Sequence, residues 1–338
     1  MKRPSTPRRS VADIAQLRSE LITMARGYTR AQALTTANAL GLFALLGERP
    51  RSLRTLAARL QSSPRGLRAL TAALTSMGLL ARHGNQLTLT PPARRLLVPG
   101  EPEYIGHMLA HQKRLYDLWG QLEQAVVTGR PARRRRRRRA DEERFLRAMV
   151  EGSKTSIASV LERIDLSDCE TALDLGGGFG AYAVAFHQRW PHLQIALFDV
   201  PEAIRLARRF QRESPDPVPL TYLTGDARRD DLGGPYDFIL ISNVLHMFSP
   251  PEIVASLRRV RRALSPRGRV LIKDFMLRDD WRGPREAGLF GLNMLVATEG
   301  GGVYTHGEYN RMLRQARLQR VRREPFGVGS TLLTARPN

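Results

Sequence analysis

Only one cysteine, Cys169, occurs in the 338 residues, which excludes an internal disulfide framework and leaves no cysteine cluster for a metal. A reducing compartment is the expectation. No stretch approaches the roughly 20 apolar residues of a membrane span, and the basic start, MKRPSTPRRSVADIAQL, lacks the unbroken apolar run of a secretory signal. The chain therefore reads as cytoplasmic, with no membrane partner. Acid is scarce against base, 32 Asp and Glu to 54 Lys and Arg, for a net charge of +22. Such an excess raises nucleic acid as a partner. Seven of the charges form one run, Arg133 to Arg139, and others, such as Arg205, Arg208, Arg209, Arg258, Arg261 and Arg262, fall on helix faces. Solvated faces account for much of the excess, and nucleic acid is not expected. His107 and His111, at i and i+4, lack the further ligands of a metal site, so no metal is expected either.

What is present is an ordinary globular composition, 42% hydrophobic and 25% charged, long enough to make two domains the default. Four segments are expected: a disordered basic terminus (1–10), a helical domain (11–128), an arginine-rich linker (129–141) and an α/β domain (142–338). In the second, Gly27 to Leu46 is a helical pattern apolar on too many faces for a surface helix, which points to packing against another subunit. Ser52 to Leu60, Pro64 to Leu80 and the alternating Ala81 to Thr90, closed at Gly84-Asn85, spell helix, turn, helix and β-wing. Pro64 to Leu80 offers only Arg65 and Arg68 as cations near its start, a poor set of base readers for a transcription factor. A further helix is expected over about Tyr104 to Val127. Beyond the linker, strands near 171–175, 194–199, 219–223, 236–241 and 268–274 alternate with helices, the signature of a doubly wound parallel sheet. Two late strands, near 318–324 and 329–335, joined by FGVGS, would add an antiparallel edge.

The chemistry concentrates in TALDLGGGFGAY (Thr171 to Tyr182), an apolar strand running into a glycine turn and then a helix. Glycines let the backbone turn sharply and approach a ligand, and the helix start offers N–H groups to an anion. QIALFDV (Gln194 to Val200) is a second buried strand ending in Asp199, placed to bind the hydroxyls of a ribose. A nucleoside cofactor is implied. Gly176, Gly178 and Ala181 satisfy the dinucleotide pattern, so NAD stays open on this motif. Gly176, Gly178 and Gly180 with Asp174 before them fit the G-x-G-x-G of S-adenosylmethionine enzymes better. His246 closes the strand FILISNVLH at a carboxyl end, where such folds bind ligands, and Asp274 lies on the next strand.

Together LDLGGGFG, FDVP (Phe198 to Pro201), GDARRD (Gly225 to Asp230), FILISNVLH, LSPRGRVLIKDF (Leu264 to Phe275) and LNMLVATEGGGVYT (Leu292 to Thr305) carry a resemblance running from about Gly27 to the C-terminus. The chain resembles the class I S-adenosylmethionine-dependent O-methyltransferases with an N-terminal winged-helix dimerisation domain, among them caffeate, acetylserotonin, hydroxyneurosporene and bacterial polyketide enzymes. The resemblance implies a Rossmann-like α/β domain behind a dimerising one, S-adenosylmethionine as cofactor, and a homodimer methylating a hydroxyl of a small aromatic or polyketide-like metabolite. Carried over by position, Gly176, Gly178 and Gly180 would hold the methionine end, Asp199 the ribose, and Asp226 with Ala227 the adenine, with Asp174 and Ser153 as further cofactor-binding residues. His246 would be the catalytic base and Asp274 its orienting partner. Trp119, Phe145, Met149, Met294 and Met108 would wall the acceptor pocket. Three departures stand out: Met247-Phe248 replaces the Asp-Trp common after the histidine, Val303 stands where plant enzymes place a second acid, and the stretch after Gly129-Arg130-Pro131, longer and partly aromatic in relatives, is shortened and filled with arginine. A winged-helix regulator with a cofactor-sensing domain and an RNA methyltransferase are the alternatives.

Overall fold

The computed structural model describes residues 11–132 and 139–338. The expected disordered terminus (1–10) and six of the linker arginines lie outside the described residues. Two compact units divide between Lys113 and Arg114, earlier than the boundary at 128 expected from the sequence.

The first unit begins with α1 (Val11–Ala25), α2 (Gly27–Leu40) and α3 (Leu42–Glu48). The long apolar pattern of Gly27 to Leu46 is thus two helices, broken at Gly41, whose φ of +78° favours a residue without Cβ. Its second half is spent on the unit's own core, where Leu42, Phe43 and Leu46 are buried with Leu56, Leu67 and Leu74. The winged helix follows: β1 (Arg51–Ser52), α4 (Leu53–Arg59), α5 (Pro64–Ser76), β2 (Leu80–His83) and β3 (Gln86–Leu89). Ser52 and Ser63 cap the two helices, their hydroxyls accepting the N–H of Thr55 and Gly66. β2 and β3 pair antiparallel around Gly84, with β1 on the far side of β3. α6 (Pro91–Leu97) and α7 (Gly106–Trp119) complete the run, α7 ending in the second unit.

In the second unit α8 (Leu122–Thr128) follows a break at Gly120-Gln121, so the helix expected over Tyr104 to Val127 is also two. Its residues join this unit because Trp119, Leu122 and Ala125 pack with Val296 and Leu295. α9 (Arg139–Leu161) then leads to alternating strands and helices: β4 (Thr171–Leu175), α10 (Ala181–Arg189), β5 (Gln194–Asp199), α11 (Pro201–Glu213), β6 (Thr221–Thr224) and β7 (Tyr236–Ser242). After a short 3-10 turn at Leu245–Met247 come α12 (Pro250–Ala263), β8 (Leu264–Leu277), α13 (Arg285–Ala297), β9 (Tyr304–Thr305), α14 (His306–Gln315), β10 (Leu318–Phe326) and β11 (Ser330–Pro337). The main sheet runs β10-β11-β8-β7-β4-β5-β6, with β9 off that path beside β8.

β4, β5, β6, β7 and β8 are mutually parallel, and β10 and β11 add the expected antiparallel edge. The parallel strands are apolar on both faces because helices cover both. One face packs Ile239, Ile272 and Leu173 under α12 and α14, the other Phe238, Leu240 and Ile195 under α9 and α10. Chain order reverses at β4, with β5 on one side and β7 on the other. The carboxyl ends of these three strands therefore frame a crevice at a topological switch point. On the outer edge, exposed Arg320, Arg322 and Arg323 of β10 oppose pairing with another strand.

Candidate active site

At the carboxyl end of β4 the backbone turns through Gly176, Gly178 and Gly180, with φ of +73°, +59° and +80°. A side chain would strain each. The intervening Gly177 is required for a different reason, unrecognised in the sequence: a Cβ there would collide with the Asp174 carboxylate and Leu197. Asp174 itself is 1% exposed, and its Oδ2 has no hydrogen-bond partner. Burial, with a smaller push from Asp199, raises this carboxyl to about 7.

Asp199, at the end of β5, ties three segments together. Its Oδ2 accepts the Gly178 N–H (2.9 Å), its Oδ1 the Val200 N–H (2.7 Å) and its carbonyl the Gly225 N–H (3.0 Å). Burial raises its pKa against the pull of the Gly178 and Val200 donors. Each carboxylate oxygen keeps a second lone pair for a ligand hydroxyl. One strand further, Asp226 accepts the backbone N–H and the guanidinium of Arg228, chiefly through which its carboxyl is held below the usual range. Ala227 beside it is buried in the sheet core. Ser153, on α9, donates to the Val150 carbonyl of its own helix (2.9 Å).

Across the crevice, β7 ends in a tight reversal through Asn243 (φ +59°) into the 3-10 turn that carries His246. Asp274, fully buried on β8, faces it. His246 Nδ1 lies 2.6 Å from Asp274 Oδ1, and the His246 backbone N–H donates to Asp274 Oδ2 (3.1 Å). The carboxylate also accepts the Phe275 N–H (2.8 Å) and the hydroxyl of Tyr309 (3.5 Å). So many donors offset the cost of burying a charge. With Nδ1–H given to a carboxylate, the neutral ring presents Nε2 as an acceptor. Phe290 of α13 packs near-perpendicular to the imidazole, ring centroids 4.7 Å apart, and Gly302 donates its N–H to the His246 carbonyl. Among the described residues Asp274 is the carboxylate paired with His246, consistent with Val303 standing where a second acid was sought. Tyr309 and Phe290 left no signal in the sequence, since an aromatic on a helix reads simply as core.

Of the residues expected to wall an acceptor pocket, Trp119, Phe145, Met149 and Met294 lie in the second unit and Met108 in the first. Trp119 donates its indole N–H to Asn293 of α13 (3.2 Å), next to the buried Met294. Phe145 packs with Leu146, Phe179 and Phe210 over the glycine turn. Met149, 36% exposed, lies on α9 outside these clusters. Met108 belongs to the first unit, where Gln112 contacts its sulfur (3.7 Å).

The O-methyltransferase domain family matches residues 119–319, and the O-methyltransferase dimerisation domain family residues 22–99. The chain is 31% identical over 342 residues to the tetracenomycin polyketide synthesis 8-O-methyl transferase TcmO of Streptomyces glaucescens, covering 98% of each chain. It is 32% identical over 318 residues to acetylserotonin O-methyltransferase of Bos taurus, covering 88% of this chain and 91% of that one. This chain belongs to the S-adenosylmethionine-dependent O-methyltransferases. In structure it is similar to human N-acetylserotonin methyltransferase, solved in complex with S-adenosylmethionine: TM-score 0.86, 27% identity, 99% of this chain and 100% of that one covered.

The residues present in this O-methyltransferase fit the cofactor of its family, S-adenosylmethionine. A buried carboxylate oxygen without a partner, Asp174 Oδ2, suits a cation, and Asp199 suits a diol. The glycine turn runs through positive φ at Gly176, Gly178 and Gly180 and leaves the backbone without side chains there. Among the described residues no His, Cys, Asp and Glu group could hold a metal ion, and no helix is long and apolar enough to cross a membrane.

Proposed function

We propose that this O-methyltransferase methylates a hydroxyl of a small aromatic or polyketide-like metabolite, with His246 as general base. The observation that carries the proposal is the 2.6 Å pairing of His246 Nδ1 with the buried Asp274 at the carboxyl end of β7. S-adenosylmethionine, when bound, supplies an electrophilic methyl group on a positively charged sulfur. Asp174 and the turn at Gly176, Gly178 and Gly180 would hold its amino-acid end, Asp199 its ribose and Asp226 with Ala227 its adenine. Ser153, turned onto its own helix, would serve only after rotating away from Val150. His246 Nε2 takes the acceptor's hydroxyl proton as the new bond forms, where an unassisted phenol near pH 7 stays mostly protonated. Asp274 keeps Nδ1 protonated and Nε2 free beforehand, then stabilises the imidazolium. Tyr309 and the Phe275 N–H fix the carboxylate that does so.

The acceptor class rests on relatives that act on tetracenomycin polyketide and acetylserotonin. A homodimer through the first unit follows from the dimerisation family match and from α1. On α1, Ile14, Leu17, Leu21 and Met24 recur at 3-4-3 spacing, and all are exposed, from 37% at Leu17 to 71% at Met24. That is the seam of a helix packed against another. The test pairs calorimetry with transfer of labelled methyl to a panel of naphthols and hydroxyindoles. S-adenosylhomocysteine should bind at least tenfold more tightly than NAD, with label recovered as a methyl ether. NAD binding as tightly, or label recovered only on carbon, contradicts the proposal.

A further inference from the structure

Arg228 stands beside the candidate adenosine site, and neither the glycine motif nor the histidine chemistry gives it a task. Its side chain is extensively engaged for one that is 44% exposed. The Nε donates to Asp226 Oδ1 (2.9 Å) and a terminal nitrogen to Asp226 Oδ2 (2.8 Å), a two-pronged grip on one carboxylate. The Arg228 backbone N–H adds a third bond to Oδ1 (3.0 Å). The remaining terminal nitrogen donates to Glu252 Oε1 (2.9 Å), and the guanidinium carbon lies 5.4 Å from the centroid of the Phe248 ring. Glu252 is itself fixed, its Oε2 accepting the backbone N–H and hydroxyl of Ser249 at the start of α12. Arg228 is thus clamped by Glu252 and Phe248 on one side and clamps Asp226 on the other.

A lone exposed ion pair contributes little, because two mobile chains must be ordered to form it. Here the second anchor orders the arginine already, and the planar fork fixes the carboxylate plane as well as its position. We infer that Arg228 is a positioning residue for nucleobase recognition: it holds Asp226 as an oriented acceptor for the 6-amino group of adenine. This rests on the placement of the cofactor proposed above. An oriented carboxylate accepts from an amino group and repels the carbonyl oxygen of a 6-oxo purine. A freely turning one, hydrated and able to swing away, discriminates less.

The experiment is calorimetric titration of S-adenosylhomocysteine and its 6-oxo counterpart, S-inosylhomocysteine, into wild type, Arg228→Ala, Arg228→Lys and Asp226→Asn. The wild type should prefer the adenosyl ligand by tenfold or more. Arg228→Ala should lose about tenfold in affinity for S-adenosylhomocysteine while S-inosylhomocysteine changes by less than about threefold. Arg228→Lys, which keeps the charge without the fork, should lose most of the preference too. Preference retained in Arg228→Ala, or both ligands weakened equally, overturns the inference. If Asp226→Asn removes the preference and Arg228→Ala does not, the arginine's role is wrong and the adenine placement stands. If neither substitution alters it, the placement of adenine at Asp226 is itself wrong.

Discussion

Gly177→Ala should both destabilise the second unit and weaken cofactor binding, and the structure sets the size of each effect. An added Cβ would run into the Asp174 carboxyl and Leu197, neither of which can yield cheaply. Leu197 is fully buried against Ile204 and Ala207 under α11, and Asp174 is 1% exposed. Overpacking at such a site costs about 1–3 kcal/mol, and for a unit of this size each kcal/mol lowers Tm by about 2–4 °C. The carboxylate that must move is the one proposed to hold the amino-acid end of the cofactor, so S-adenosylhomocysteine affinity should fall by about tenfold or more. Gly288→Ala is the contrast: it lies within α13 with nothing within 4 Å of the added carbon. There, alanine should leave binding unchanged and stabilise by roughly 0.5–1 kcal/mol through helix propensity. Thermal melts at fixed protein concentration, with and without S-adenosylhomocysteine, read both. A Gly177→Ala protein that melts and binds like wild type would refute the packing argument and with it the reason for glycine at 177.

Asp199→Ala should weaken S-adenosylhomocysteine binding by about 1–3 kcal/mol, from lost charge-assisted bonds to ribose; an unchanged Kd in folded protein counts against that role. Asp174 gives a pH signature. In the ligand-free fold its carboxyl stays protonated up to about pH 7 against a reference of 3.8. The folded state therefore binds the extra proton, and stability falls as pH rises between those values, by up to about 4 kcal/mol. Asp174→Asn should remove this slope, gaining Tm on wild type between pH 5 and pH 8 while binding cofactor less tightly. Parallel melting curves across that range would contradict it. The α1 seam predicts a dimer by light scattering, and Leu17→Glu with Leu21→Glu should give monomers; a wild-type monomer at micromolar concentration refutes it.

The parallel strands were legible because burial on both faces leaves long apolar runs closed by turn residues. β4 and β5 match their expected limits, and β7 exceeds its own by one residue. Helix breaks were less legible. Gly41 and Gly120 interrupt apolar patterns that periodicity alone continues, since the pattern reports burial and says little of backbone conformation. The exposed seam of α1 gives a weaker signal in the sequence than the more apolar Gly27 to Leu46, half of which is core. Features set by local backbone could be read from spacing, as in the positive-φ turn at Gly176, Gly178 and Gly180 and the strand end at Asp199. Partners brought together across long stretches of chain could not, as with Tyr309 on Asp274, Phe290 on His246 and the clamp of Glu252 on Arg228.

General-base catalysis by His246 is tested most directly by rate against pH for wild type and His246→Ala on one naphthol acceptor, with cofactor saturating. The account predicts that, below the naphthol's own pKa, turnover of the variant falls by about 10² to 10⁴. The Kd for S-adenosylhomocysteine should stay within about twofold, and the deficit should shrink as the naphthol ionises unaided. Asp274→Asn should fall by less, because it orients the ring without taking the proton. A His246→Ala enzyme that keeps the wild-type rate below the acceptor's pKa would contradict the account.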